Sequence, residues 1–73
     1  MRRLLSKSLE SGVKLEMIYL SDKMDVTQRT IKVLALGESS FKAFCYLRRK
    51  QRFFKFVNIL SLGVPKKKFS RGA

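Results

Sequence analysis

The chain has 73 residues, enough for one small domain that buries only about 60% of its unfolded surface, and apolar residues make up 45% of it. Gly and Pro total five, which argues against a low-complexity or disordered chain. The formal net charge is +12 and lopsided: residues 1–40 carry seven basic and all five acidic side chains, residues 41–73 ten basic and none acidic. A field of that kind attracts phosphate-rich partners.

In chain order, Leu4, Leu5 and Leu9 recur at helical spacing and Gly12 follows as a cap, which predicts a short helix over about 2–11. The next run, VKLEMIYL, alternates Leu15, Met17 and Tyr19 against Glu16 and Ile18 and reads as a strand, with SDKMD as its turn. TQRTIKVLAL sets Ile31, Val33 and Ala35 against Thr30, Lys32 and Leu34 and stops at the turn-forming GESS. FKAFCYL puts Phe41, Ala43, Cys45 and Leu47 on one face and Lys42, Phe44 and Tyr46 on the other. RRKQ is a polar turn, RFFKFV opposes Arg52, Phe54 and Phe56 to Phe53, Lys55 and Val57, and ILSL supplies a fifth strand.

One helix and five short strands in so short a chain predict a mainly β fold, a small five-stranded SH3-like or Sm-like barrel with one N-terminal helix, since closure removes exposed edges. The domain is expected over residues 1–63, followed by a basic flexible tail, 64–73, in which Lys66, Lys67, Lys68 and Arg71 form an electrostatic arm.

Catalytic parts are scarce. Histidine is absent, Cys45 is the single cysteine, and the acids at 10, 16, 22, 25 and 38 follow no metal-loop pattern. Asp22 and Asp25 suit a solvated turn better than an acid/base pair, and the four glycines are isolated, so no phosphate-cradling motif is formed. The expectation is a non-enzymatic chain without cofactor or metal. No intrachain disulfide is possible, no run approaches the roughly 20 apolar residues of a membrane span, and Ser6, Lys7, Ser8 and Glu10 interrupt any signal-like start; a reducing cytoplasm is the expected setting.

Binding chemistry is concentrated in AFCYLRRKQRFFKF, residues 43–56, where Arg and Lys alternate with aromatics and no acid intervenes. Basic side chains neutralise phosphates, and an exposed ring stacks on an unpaired base for ~1–3 kcal/mol. Phe41, Phe54 and Phe56 are assigned to the core, which leaves Phe44, Tyr46 and Phe53 for exposure. Arg48, Arg49 and Lys50 fall in a turn, where a solvated tip is the ordinary outcome, whereas Arg52 and Lys55 come from a strand that orients them.

The segment AFCYLRRKQRFFKFVNI resembles the C-terminal signature of WYL domains, bacterial and phage ligand-sensing modules, through Ala43, Phe44, Cys45, Leu47 and Arg48 and then Arg52, Phe54, Phe56 and Ile59. IYL at 18–20 and TQRTIKVLAL extend the likeness, which covers residues 4–62, with Val33 where the family usually has proline. The tripeptide that names the family falls at Ser39, Ser40 and Phe41, without its Trp and Tyr, and Asn58 stands in place of the arginine before the last isoleucine. The resemblance implies an Sm-like barrel that binds nucleic acid or a nucleotide-like anion to regulate a transcription factor, with Arg29, Arg52 and Arg48 as the surviving polar positions.

The expected function is binding of nucleic acid, single-stranded favoured, or of an anionic ligand through Arg29, Phe44, Tyr46, Arg48, Arg49, Lys50, Arg52 and Lys55. The alternative is a protein-interaction or homo-oligomerising module acting on a transcriptional regulator in trans, with no membrane role in either case.

Overall fold

A computed structural model describes residues 2–65. The tail residues Lys66, Lys67, Lys68 and Arg71 lie outside them. Helix α1 spans Arg2–Ser11 and ends where Gly12 takes φ +78°, its N–H donating to the Ser8 carbonyl at 2.8 Å, a left-handed cap that a side chain would strain. Leu5 and Ser8 are buried on the helix's inner side, and Leu4 packs beside them.

Five antiparallel strands follow: β1 (Leu15–Leu20), β2 (Val26–Leu36), β3 (Ser40–Cys45), β4 (Lys50–Lys55) and β5 (Ile59–Gly63), in the sheet order β4-β3-β2-β1-β5. The fold is mainly β, as the alternating pattern requires. Leu15, Met17 and Tyr19, Ile31 and Val33, Phe41, Ala43 and Cys45, with Phe54 and Ile59, line the inner face and pack with Leu5 in one core.

β2 curls the sheet. Its first half pairs with β1 and its second with β3, and Ile31 is the one residue paired on both sides, to Leu15 and to Cys45. A three-residue 3-10 turn, Phe56–Asn58, carries the chain from β4 at one edge to β5 at the other, so the two edges approach within a few residues' reach at that end. Tyr19 meets Phe54 edge-on at 5.0 Å, and its hydroxyl accepts the Lys55 N–H at 2.8 Å, which draws β4 over β1. Tyr19→Phe removes that acceptor. It is expected to cost about 1 kcal/mol, or about 4–8 °C in thermal midpoint, with no loss of fold by circular dichroism; an unshifted midpoint would mean that the bond adds nothing.

Four expectations need correction. Ala35 leaves the inner face because the β2–β3 register shifts between Val33 and Ala35, a bulge after which Leu36 takes the inward position. The β3–β4 turn is at residues 46–49, two earlier than RRKQ, because Arg49 adopts φ +58° and its N–H bonds the Cys45 carbonyl at 2.7 Å. Leu47 is therefore carried out of the strand into the turn, 61% exposed. Phe56 and Val57 sit in the 3-10 turn, not in β4; Phe56 still stacks on Phe41 at 5.3 Å, while Val57 is exposed.

Candidate anion-binding cleft

The sheet opens where β3 runs out. The last rung between β2 and β3 joins Ile31 to Cys45, and after the Tyr46 N–H donates to the Thr30 carbonyl at 3.0 Å the chain turns away. Residues 26–29 of β2 thus have no β3 partner, and the gap is framed by the β1–β2 and β3–β4 turns. Arg29 projects from this stretch, in phase with Ile31 and Val33 on the inner face.

Arg29 is 8% exposed. Its Nε donates to Thr27 Oγ1 at 3.1 Å, its Nη1 to Cys45 Sγ at 3.5 Å, and its guanidinium lies 5.6 Å from the Phe54 ring centre. Thr27 is itself held by its hydroxyl donating to the Tyr19 carbonyl at 3.3 Å. These partners are uncharged. A guanidinium stays protonated, has five donors and is costly to bury, so these contacts orient Arg29 without neutralising it.

The guanidinium borders a cleft of about 430 Å³ lined also by Arg48, Arg52 and Lys23 and by Asp22 and Asp25 of the β1–β2 turn, four cations against two carboxylates. Ser21 shapes that turn: its Oγ accepts the N–H groups of Lys23 at 3.2 Å and Asp25 at 3.1 Å, and Met24 takes φ +67° at the tip. A smaller hollow of about 110 Å³ shares Ser21, Asp22, Arg29 and Arg52 with the cleft and adds Tyr19, Phe53 and Phe54, so the two are continuous. Arg29 also borders a shallower groove lined by Glu16, Gln28 and Tyr46, which holds one acid and no second arginine.

Of the residues singled out from the sequence, the fold brings Arg29, Arg48 and Arg52 together, 23 positions apart in the chain from first to last. Phe44 and Tyr46 pack edge-on against each other at 4.9 Å, half-buried, with the Lys14 ammonium 4.6 Å over Tyr46; Tyr46 reaches only the shallow groove. Arg49 is at the turn tip, Lys50 opens β4 and Lys55 closes it, all exposed and outside the cleft lining. Thr27 and Lys23 complete the site without having been singled out for it, and Phe53, expected only to be exposed, lines the smaller hollow. Thr27 carries one readable signal, its place two residues before Arg29 on the same strand face.

No helix of the described residues is long and apolar enough to cross a membrane. No family model matches the chain, and no curated protein matches it. Among solved structures, the fold is shared with Proteasome accessory factor B/C (PafBC) of Arthrobacter aurescens, at a TM-score of 0.71 and 22% sequence identity over 99% of this chain. The match spans 13% of that protein's chain, so the neighbour contains this fold as a minor part of a longer polypeptide.

Proposed function

We propose that this chain is a non-enzymatic regulatory module that binds a phosphate-bearing anion, nucleic acid or a nucleotide-like ligand, in the cleft formed by Arg29, Arg48 and Arg52. The observation that carries the reading is Arg29, nearly buried, contacted by neutral groups, and bordering a cleft with two further arginines. Three guanidinium groups around one cleft repel one another, and an anion among them replaces repulsion with charge-assisted hydrogen bonds. Arginine is suited to this because its planar fork matches phosphate oxygens in pairs. The resemblance of residues 43–59 to WYL domains and the fold shared with a small part of PafBC support the regulatory assignment.

Fluorescence anisotropy with single-stranded DNA, single-stranded RNA and duplex DNA across a salt series tests it. Binding that favours a single strand and persists at physiological salt supports oriented recognition; weak binding to all three that vanishes with salt leaves only diffuse attraction. At fixed salt, Arg52→Ala is expected to weaken binding more than Lys67→Ala, and equal losses would count against the cleft. In that event the β5 edge, where Leu60 and the neighbouring Val57 are exposed, favours a protein partner.

A further inference from the structure

Exposed apolar side chains occur singly on any protein surface, and exposure alone assigns nothing to them. Phe53 differs in its placement. It is 74% exposed in the middle of β4, an edge strand, and stands between two hollows, the one that contains Arg29 and Arg52 and a largely apolar groove of about 240 Å³ shared with Leu36, Phe41 and Lys42. Tyr19, Phe41, Phe44, Tyr46, Phe54 and Phe56 each contact another ring, whereas Phe53 contacts none among the described residues. Its cross-strand neighbour on the outer face is Lys42, and the next pair along that face, Phe44 and Lys32, repeats the arrangement of ring beside ammonium.

From this juxtaposition we infer that Phe53 is the base-stacking residue of the site: an unpaired nucleotide of a single strand places its phosphate against Arg29 and Arg52 and its base on the Phe53 ring, around the free edge of β4. The inference rests on the proposed anion-binding reading and deepens it from phosphate binding to recognition of unpaired bases. Alternation along β4 gives the geometry: Arg52 faces inward and Phe53 outward, so one edge strand presents a charge on one side and a ring on the other. Lys42, and beyond it Lys32, extend the positive surface in the direction that the following phosphates would take. Phe44 and Tyr46 are half-buried and already engaged edge-on with each other, with the Lys14 ammonium over Tyr46, so Phe53 is the more open ring.

The test uses the full chain with a fluorescein-labelled oligothymidylate, an abasic strand of the same length and phosphate count, and a duplex, all at one near-physiological salt concentration. Wild type is expected to prefer the oligothymidylate over the abasic strand by about five- to a hundredfold, and to bind the duplex more weakly than the single strand. Phe53→Ala collapses the ratio between the two single strands towards one; because the side chain is exposed, the fold should survive, as a far-ultraviolet dichroism spectrum would verify. Arg52→Ala weakens both strands, which separates the ring from the charge. Wild type carries no tryptophan, so Phe53→Trp introduces a single indole that can be excited apart from the two tyrosines, expected to be quenched by oligothymidylate and not by the abasic strand. Equal wild-type affinity for the base-bearing and abasic strands, a ratio untouched by Phe53→Ala, or a duplex bound as tightly as the single strand would each overturn the stacking role while leaving the cleft standing. Failure of both strands to bind, with Arg52→Ala indistinguishable from wild type, would overturn the cleft as well.

Discussion

Arg29→Met is expected to melt at a higher temperature than wild type and to bind single-stranded nucleic acid about ten- to a hundredfold more weakly, the loss of a charge-assisted hydrogen bond worth about 1.5–3 kcal/mol. Opposite signs for stability and binding would identify a residue kept for its ligand. The gain arises because a buried charge whose contacts among the described residues are a hydroxyl, a thiol and a ring has no bonded carboxylate there to compensate its desolvation. Methionine retains most of the stem's volume and places a polarizable sulfur near Phe54. Thr27 still donates to the Tyr19 carbonyl, so the change orphans little. Differential scanning calorimetry paired with anisotropy reads both quantities. If the midpoint falls together with affinity, Arg29 is a structural residue and the cleft loses its principal support. Arg29→Lys keeps the charge without the planar fork, and an affinity between wild type and Arg29→Met is expected of it.

Ser8→Ala should have the largest effect on stability. Ser8 is fully buried; its Oγ donates to the Val13 carbonyl at 2.6 Å and accepts the Val33 N–H at 3.0 Å, joining α1 to β2 where the β2–β3 register shifts. Alanine leaves a buried donor and an acceptor unsatisfied, a loss of about 2–4 kcal/mol, against a total of roughly 4–11 kcal/mol for a chain of this length. Urea denaturation should show a lower midpoint at unchanged slope. Ser11→Ala is the control: its hydroxyl bonds the Lys7 carbonyl within the exposed turn of the same helix, and its removal should change stability by less than about 0.5 kcal/mol. Equal effects of the two substitutions would mean that the hydroxyl at position 8 does not hold helix to sheet.

Much of the fold is legible in the residues because a half-buried sheet imposes period two on its strands. Leu15, Met17 and Tyr19, and Phe41, Ala43 and Cys45, declare their inner faces without tertiary information. The helix is equally legible, from three leucines and a glycine. Ala35 was not, since a bulge is an extra residue in a ladder, and alternation along one strand says nothing about its partner's register. The turn at 46–49 is hidden for a related reason: the charges of Arg48, Arg49 and Lys50 mark a polar run two residues later, while the turn is set by the left-handed backbone of Arg49. The cleft was half legible. Arg29, Arg48 and Arg52 stood out through the WYL resemblance, but their convergence depends on β3 ending opposite Ile31, and the selection of Phe53 over Phe44 and Tyr46 depends on which rings find each other.

That Ile31 is the one residue of β2 paired on both sides also gives the molecule a mechanical character. The strands divide into two leaves, one of β5, β1 and the first half of β2, the other of the second half of β2 with β3 and β4, and one column of hydrogen-bonded backbone joins them like the spine of a book. Tyr19 is the clasp, reaching from the first leaf to Phe54 and Lys55 on the second. Arg29 belongs to the first leaf and Arg52 to the second, so an anion held by both spans the opening between the pages and fixes the angle at which the leaves stand.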